Sequence, residues 1–239
     1  MKFERSATYN WENAFHGLRH PFESYDKGDT MWYDDTTENE YKCFNQALKV
    51  DSEWVRFLGI GPNDMDLAQR MIKAGTPNDK FLRQIFVSVD ITAPLYWWKE
   101  MDTYKVGTTA NSTSTMHKLA TTPITKECFE MDDYNGNLKL YDKEPYNIDD
   151  YVDDMWESII CYCETLRKKY LETKDIRYWK ELIRVLPESW LQIRTWTANY
   201  AVLRNIIHWR QNHKLSEWSQ FIDWCKTLPY SEQLLMFEN

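Results

Sequence analysis

The chain has 239 residues, of which 43% are hydrophobic, 15% are aromatic and 28% are charged, and its formal net charge is −8. This apolar fraction is enough for a buried core, and the many aromatic residues, including 12 Trp, exclude an intrinsically disordered chain. The negative charge argues against nucleic acid as a partner, because broad contact with phosphate backbones requires a basic surface. A small anionic ligand bound in a local basic pocket is compatible with this net negative charge.

The same composition sets expectations for location and domain organisation. No run approaches the roughly 18 apolar residues that cross a bilayer, and no signal-like segment opens the chain. The five cysteines, an odd number, are typical of a reducing compartment. We therefore expect a cytoplasmic protein without a membrane segment. No repeat or linker divides the sequence, so we expect a single domain over residues 1–239, of which 1–60 form a variable N-terminal part.

Apolar periodicity in the N-terminal half predicts both helices and strands. The aromatic stretch to about residue 41 has mixed periodicity, which we interpret as short strands and loops. A helix is predicted from Pro62 to Gly75, followed by a strand over 85–92 in which apolar and polar residues alternate. Pro94 opens another helix. Residues 119–147 are rich in turns, and Asn135-Gly136 is the predicted tip of a hairpin.

The C-terminal half is predicted to be mostly helical. Asn147 is the predicted N-cap of a long helix, on which apolar residues follow a three-four spacing to Tyr170. A second helix begins near Asp175 and is stopped by Pro187. A short strand over 192–197 and helices over 199–213 and 216–228 complete the chain. The sum is an α+β fold, with a small, mostly antiparallel sheet and several helices.

A polar loop is the first candidate for chemistry. Residues 104–118 read YKVGTTANSTSTMHK, with six Ser or Thr hydroxyls, one Gly, one Asn, one His and two Lys. Hydroxyls, backbone N–H groups and flanking cations suit a phosphate, especially at a helix N-terminus. A solvated Ser/Thr loop is the alternative, and the residues support the two interpretations about equally.

The predicted helix over 199–213 is the second candidate. Asn199 and Arg210 are eleven residues apart, so in a helix their side chains point within roughly 20° of each other around the helix axis. Both lie on the apolar face of this helix. An arginine on a buried face needs an anion or a bidentate acceptor, because an unpaired buried charge is costly. The alternatives to ligand binding are a structural ion pair with a carboxylate, or an extended side chain whose guanidinium reaches solvent at the edge of the apolar face. Arg204 and His208 share the more polar face, which favours solvent exposure.

Metal binding is not expected. His16 and His20 have a helical i,i+4 spacing, but Gly17 lies between them and no third ligand is evident. Cys161 and Cys163 lie roughly 200° apart on a helix and cannot easily share a metal.

The order of these elements resembles the flavin-dependent thymidylate synthases. A strand, an aromatic helix, a Ser/Thr loop and a long helix precede Leu186-Pro187, and Thr197-Ala198-Asn199 then opens a helix that ends in Arg210. The resemblance covers about 67–218, within a resembling region 62–228, and is clearest in LPESWLQIRTWTANYAVLRNIIHWR. Enzymes of this family are homotetramers that bind FAD and dUMP between subunits and transfer methylene from methylenetetrahydrofolate with reducing equivalents from NADPH. The resemblance implies the family's fold, a homotetramer and intersubunit sites.

Individual residues match the family's positions. Asn199 and Asn205 match its two flavin-side asparagines, and Arg210 matches its dUMP-binding arginine. Asn111 and Ser114 match its phosphate-side motif. Arg184 lies about one residue out of register with an arginine that the family places on the nucleotide.

Other positions depart from the family's pattern. Its RHR triplet becomes Tyr104, Lys105 and Val106, and the Glu and the Arg that follow become Ser112 and Met116. Ala201 stands where the helix should carry its first Arg, and Arg83 or Gln84 occupies the neighbourhood of a family His. Lysine and hydroxyl groups replace only part of the bidentate phosphate binding that guanidinium groups provide.

The resemblance implies a nucleotide-binding protein. One hypothesis is an FAD-dependent enzyme, a methyl or methylene transferase of thymidylate synthase type that acts on a dUMP-like pyrimidine nucleotide. The other is a non-catalytic protein that binds or sequesters a nucleotide on the same scaffold, and a purely structural oligomer is a third. The catalytic candidates are His117 and Lys105, and no metal is assigned. The nucleotide- or cofactor-binding candidates are Asn111, Ser112, Ser114, Lys118, Arg184, Asn199, Asn205 and Arg210.

Overall fold

The computed structural model describes residues 1–34, 56–138 and 151–237, and it has the predicted α+β fold. Its strands are β1 (Lys2–Tyr9), β2 (Met31–Asp34), β3 (Arg56–Gly59), β4 (Phe86–Pro94), β5 (Thr109–Ser112) and β6 (Leu191–Asn199). Its helices are α1 (Trp11–Arg19), α2 (Pro62–Ala74), α3 (Leu95–Met101), α4 (Thr115–Lys118), α5 (Val152–Thr173), α6 (Ile176–Val185), α7 (Tyr200–Arg210) and α8 (Ser216–Lys226). None of the described helices is long and apolar enough to cross a membrane.

Four strands form a small antiparallel sheet in the order β1-β4-β6-β5. The register of β4 and β6 is fixed at one end by the Tyr200 N–H, which donates to the Ile85 carbonyl at 3.0 Å. At the other end the Leu95 N–H donates to the Trp190 carbonyl at 3.1 Å. Strands β2 and β3 form a separate antiparallel pair, with Met31 opposite Gly59.

The chain divides into two compact units, and β4 and β6 each run from one into the other. The first unit comprises Met1–Lys2, Thr92–Met101 and Ser112–Arg194, and the second comprises Phe3–Ile91, Asp102–Asn111 and Thr195–Asn239. Each unit has buried apolar residues of its own. In the first these are Leu119, Ile124, Phe129, Cys163, Leu166 and Leu182. In the second the largest are Trp11, Phe15, Tyr200, Trp218 and Phe221. The single-domain organisation stays a prediction.

Most of the predicted elements are confirmed. Helix α2 begins at Pro62, and Gly75 follows it with φ +67°, a conformation that favours glycine. Strand β4 buries alternate residues, and α3 begins immediately after Pro94. Asp175 caps α6 with its carboxylate. Strand β6 and helices α7 and α8 also form where they were predicted.

The N-terminal stretch differs from the sequence interpretation. Residues 11–19 were expected to be strand or loop, but they form α1. Trp11, Phe15 and Leu18 are buried on one face of this helix, together with Ala14. These residues have an i, i+3, i+4, i+7 spacing, but the internal Gly17 weakens the local preference for helix.

Two turn regions refine the prediction. The 104–118 segment is not loop throughout, because it contains the short strand β5 and the single turn α4. At Asn135 the side chain accepts from the Asn137 N–H at 3.1 Å, which confirms a turn. No strand precedes this turn within the described residues 119–134, and the second arm of the predicted hairpin lies outside the described residues from 139 onward. Asn147 lies outside the described residues, and α5 begins at Val152.

Candidate functional site

Helix α7 begins where Asn199 caps it. The Asn199 Oδ1 accepts a hydrogen bond from the Val202 N–H at 3.0 Å, and the residue is only 8% exposed. An asparagine oxygen at this position satisfies one of the N–H groups that have no partner inside the helix. The residue that the resemblance assigns to the flavin therefore also has a structural role.

Gly107 brings the polar loop against the start of α7. Its φ is +76°, which favours glycine, and a Cβ atom there would lie 3.1 Å from the Asn199 Nδ2 and 3.3 Å from the Val202 Cγ2. A larger residue would push the loop away from the helix. The Tyr104–Gly107 end of the loop is thus placed next to the candidate residues of α7.

Arg210, at the end of α7, lies among aromatic side chains. Its Nε donates to the Tyr104 hydroxyl at 2.9 Å, and its guanidinium carbon lies 4.4 Å from the centroid of the Trp218 ring. Aromatic faces attract cations, so this packing holds the half-buried guanidinium in a defined position. The sequence predicted an anion or a bidentate acceptor for this residue, whereas its partners in the structure include a single phenol oxygen and an indole face.

A cavity of about 920 Å³ lies beside the same helix, within the second unit. Its polar lining includes Arg83, Arg204, Asn205 and His208, and Asp79 is the acidic group among its described lining residues. The rest of its lining consists of Thr76, Ala201, Ile207, Gln211, Leu235, Met236 and Phe237. Cationic groups beside an apolar wall suit an anionic ligand that has a flat organic body.

Arg204 is the most buried cation of this cavity. Its Nη1 donates to the Leu234 and Leu235 carbonyls at 3.1 and 3.2 Å. Burial lowers the pKa of Arg204, whereas the charge of Asp79 acts in the opposite direction. The expectation of a solvent-exposed Arg204 was wrong, because the C-terminal turn Ser231–Leu235 covers this part of α7.

Asn205 faces the cavity one helical turn from Ala201. Its Oδ1 accepts a hydrogen bond from the Trp209 Nε1 at 3.2 Å, and the indole of Trp209 is 68% exposed. The bond orients the amide, because it engages the oxygen and leaves the amide nitrogen as a donor. The sequence-predicted residue thus lies on a cavity wall beside an exposed aromatic ring.

The hydroxyl-rich end of the loop belongs to the first unit, where β6 holds it. The Thr113 N–H donates to the Ile193 carbonyl at 3.0 Å, and the Gln192 Nε2 donates to the Thr113 carbonyl at 2.8 Å. Arg194 donates from Nε to the Gln192 Oε1 at 3.0 Å and stacks 4.3 Å from the centroid of the Trp98 ring. Arg194 is therefore a cation near this loop that sequence reasoning missed.

The predicted residues fall in both units. Lys105, Asn111, Asn199, Asn205 and Arg210 belong to the second unit, and Ser112, Ser114, Lys118 and Arg184 belong to the first. The exposed residues are Lys105, Asn111, Ser112, Lys118, Arg184 and Asn205. Arg184 pairs with Glu181 on α6 at 2.9 Å. His117 lies in α4, but its side chain is outside the described part of the structure.

Sequence reasoning did not place Arg204 and His208 in the site. Both lie on the polar face of α7, and the cavity that they line is completed by the C-terminal residues 235–237, which are distant in sequence. The one sequence signal that pointed to this cavity was Arg83, because it stands near a position where the family has a histidine. Among the described residues no group of three or more His, Cys, Asp or Glu side chains could hold a metal ion.

No protein-family model and no curated protein matches the sequence. Two solved structures resemble the chain over almost its full length, and both are flavin-dependent thymidylate synthases (ThyX) from Helicobacter pylori with FAD and dUMP. Each has a TM-score of 0.62 and 14% sequence identity, and the match covers 98% of this chain and 97% of that chain. The chain therefore has the fold that its element order predicted.

Proposed function

We propose that this protein binds a nucleotide and that the cavity beside α7 receives it. The observation that carries the proposal is that Arg83, Ala201 and Asn205 line the same cavity. Asn205 matches a flavin-side asparagine of the family, Ala201 stands where the family carries an arginine, and Arg83 stands near a family histidine. Arg83 is more than 100 residues from the other two in the sequence. The two similar structures hold FAD and dUMP, which supports the same class of ligand.

The residues of the cavity fit a flavin nucleotide. Arg83 and Arg204 can bind phosphate oxygens through guanidinium N–H groups, and the Asn205 amide can donate to a ring carbonyl. Ile207 and Met236 offer apolar surface to a flat ring system, and the volume of about 920 Å³ is at the upper end of the usual range for ligand sites. Bound FAD would supply hydride-transfer chemistry, and the protein would supply position and electrostatics.

A pyrimidine nucleotide such as dUMP is the proposed second ligand. Arg210 would orient its base, because Tyr104 and Trp218 hold the guanidinium in place. Lys105 is exposed next to Tyr104 and is available to a phosphate or as a proton-transfer group. In the catalytic form of the proposal, NADPH and methylenetetrahydrofolate are the co-substrates, and the sites are completed between subunits of a homotetramer.

One observation favours a non-catalytic alternative. Ala201 lines the cavity where the family carries an arginine, so a bidentate anion donor is missing from this wall. A site that has lost part of its cationic clamp can still capture a nucleotide without turning it over. Sequestration of a nucleotide is therefore the second candidate function.

The absorbance spectrum of the protein purified without added cofactor tests the proposal. Flavin bands, present at once or after incubation with FAD and dUMP, support flavin binding, and bleaching of these bands by NADPH supports the enzyme. A protein that stays colourless but binds dUMP in calorimetry supports sequestration. A protein that binds neither FAD nor dUMP contradicts the proposed function.

A variant pair locates the ligand. Asn205→Ala removes one amide donor from the cavity and should weaken FAD binding about fivefold, the usual effect of one hydrogen bond. Alanine is a good helix former, so the thermal midpoint should not fall. Asn212→Ala is the control, because this exposed amide lies beyond the end of α7 and does not line the cavity. Equal FAD affinity in the two variants would place the ligand elsewhere.

A further inference from the structure

A second cavity, of about 700 Å³, lies between α1 and the 3₁₀ turn Asn78–Gln84. It shares no lining residue with the cavity beside α7. Its lining consists of Asn13, His16, Gly17, Leu18, His20, Pro21, Phe22, Met71, Pro77, Asn78, Lys80, Phe81 and Gln84. The proposed nucleotide site makes no use of these residues.

The two walls of this second cavity are packed together. The rings of Phe15 on α1 and Phe81 on the 3₁₀ turn meet edge to face, with their centroids 5.8 Å apart. The Asn10 Nδ2 donates to the Gln84 carbonyl at 3.0 Å. The buried aromatic contact and the hydrogen bond hold α1 and the 3₁₀ turn together beside the cavity.

Its lining divides into an apolar part and a basic part. Leu18, Met71 and Phe81 contribute apolar surface, and Phe22 is 52% exposed at the margin. His16, His20 and Lys80 contribute the ionisable groups, and none of the described lining residues is acidic. An apolar ligand without a charge would leave the basic groups unused, whereas an anion would pair with them.

The two histidines are held as a pair. Their ring centroids lie 5.0 Å apart, and the Tyr25 ring stacks on His16 at a centroid distance of 5.3 Å. The Tyr25 hydroxyl lies 2.8 Å from the His20 Nδ1, so it engages one of the two nitrogens of that ring. These contacts limit the rotation of the imidazoles and still leave the His20 Nε2 for a ligand.

We propose that this second cavity binds a carboxylate that carries an apolar, ring-sized body. The body would lie against Leu18, Met71 and Phe81, and the carboxylate would accept hydrogen bonds from the His16–His20 pair and from Lys80. A metal ion is a poorer match, because no third ligating residue joins the two histidines among the described residues. The apolar surface would also gain nothing from a bare ion.

Calorimetric titration with 1-naphthoate tests this proposal, and 1-naphthylmethanol serves as the neutral counterpart. The wild-type protein should bind one naphthoate and should bind the alcohol at least tenfold more weakly, since the alcohol has no charge for the basic groups. Lys80→Gln and the double variant His16→Gln/His20→Gln should each lose about tenfold in naphthoate affinity. Lys226→Gln is the matched control, because this exposed lysine pairs with Asp223 and neither residue lines the cavity.

A filling variant tests the cavity itself. A Cβ atom on Gly17 would lie 3.2 Å from the Gln84 Oε1, which is the end of a flexible side chain. Gly17→Met should therefore occupy the cavity, and it should not destabilise α1, because methionine is the better helix former. Naphthoate binding should be lost while the circular dichroism spectrum and the thermal midpoint are retained.

Three results would overturn the proposal. The first is that naphthoate shows no saturable binding. The second is that Lys80→Gln and the double histidine variant bind naphthoate as tightly as Lys226→Gln does. The third is that FAD displaces naphthoate. The last result would assign naphthoate to the cavity beside α7. Failure of FAD to bind anywhere would contradict only the proposed nucleotide function.

Discussion

The Arg210 Nε donates a 2.9 Å hydrogen bond to the Tyr104 hydroxyl, and this bond joins the last residue of α7 to the first residue of the polar loop. The two residues are 106 positions apart in the sequence. The guanidinium is also 5.5 Å from the centroid of the Tyr104 ring. Tyr104 therefore positions the arginine that the sequence assigned to the nucleotide.

Arg210→Ala and Ser114→Ala are expected to weaken dUMP binding without unfolding the protein. Loss of a charge-assisted contact at Arg210 should cost about tenfold in affinity, and loss of the Ser114 hydroxyl should cost less. Calorimetry with dUMP measures both, and far-UV circular dichroism verifies the fold. Unchanged affinity in both variants would contradict the assignment of these residues.

Tyr104→Phe tests whether dUMP binding depends on the orientation of Arg210 as well as on its charge. The variant keeps the ring and the cation but removes the hydroxyl that accepts from the Arg210 Nε. We expect a severalfold loss of dUMP affinity, smaller than that of Arg210→Ala, and a stability loss of about 1 kcal/mol. Urea unfolding and calorimetry give the two numbers. A Tyr104→Phe protein that binds dUMP as the wild type does would show that the hydrogen bond is not needed.

Asn199 can be tested separately as a helix cap and as a ligand. Asn199→Ala should lower the free energy of unfolding by about 1 kcal/mol, because the Val202 N–H loses its acceptor. Asn199→Ser should keep most of this stability, since serine also caps helices, but it lacks the amide nitrogen. We therefore expect near-normal stability and weaker FAD binding in the serine variant. Wild-type FAD affinity in Asn199→Ser would restrict Asn199 to capping.

The buried Arg19–Asp64 pair should be important for stability. The Arg19 Nε donates to the Asp64 Oδ1 at 2.7 Å, and the two side chains are only 7% and 4% exposed. The Thr30 N–H also donates to Asp64, at 2.9 Å. Asp64→Asn should cost about 3–5 kcal/mol, because the guanidinium stays buried without its counter-charge. Asp66→Asn is the control, since that carboxylate forms an exposed pair with Arg70, and urea unfolding compares the two.

The same carboxylate gives a direction for the effect of pH. Burial alone would raise the pKa of Asp64, but hydrogen bonds from Thr30 and Arg19 outweigh it and hold the pKa below its ordinary value. Because the folded pKa is depressed, the stabilisation is complete above the unfolded pKa and is lost as the pH falls through the folded one. Wild type should therefore lose stability in acid faster than Asp64→Asn. Parallel pH profiles would contradict this.

Glu164 on α5 should contribute a second acid-sensitive interaction. The hydrogen bond from Arg167, at 2.7 Å, is the main cause that lowers the pKa of Glu164 from 4.5 to about 2. The stabilisation that the ionised Glu164 gives to the folded state is complete above pH 4.5 and is lost as the pH falls through about 2. The lowering of this pKa corresponds to about 3 kcal/mol. The difference in unfolding free energy between wild type and Glu164→Gln should therefore shrink over this interval.

Glu172→Gln is the control for this experiment. Glu172 is on the same helix and pairs with Lys169 at 2.9 Å, but its carboxylate is exposed to water. Its removal should change the stability by less than about 1 kcal/mol at any pH, because an exposed pair contributes little. An equal effect of the two substitutions would show that the Glu164–Arg167 pair contributes no more to the stability of the protein than the exposed Glu172–Lys169 pair.

Local sequence patterns were sufficient for most of the fold. Alternation in β4, Pro62 and Gly75 around α2, and Asp175 before α6 are signals that act within a few residues. Such signals reflect the chain's own backbone and side-chain preferences, so they can be recognised without knowledge of the tertiary structure. The order of these elements then predicted a flavin-dependent thymidylate synthase fold, which the structure shows.

The N-terminal helix marks the limit of this approach. In α1, Trp11 and Phe15 are buried because they contact Tyr200 and Phe81, which come much later in the chain. An aromatic stretch with an internal glycine has a weak local preference for helix, and packing against distant residues decides its conformation.

The sequence by itself determined the order and type of most elements and placed Asn205 and Arg210 on one helix, with Asn199 at its start. Only the tertiary structure decided which groups surround that helix. It turned Arg204 from an expected solvent-exposed residue into a half-buried cation of a cavity, because the turn Ser231–Leu235 accepts its hydrogen bonds. It also brought Tyr104 to Arg210 and His16 and His20 to Lys80. Contacts between residues distant in sequence depend on packing and have no local signal.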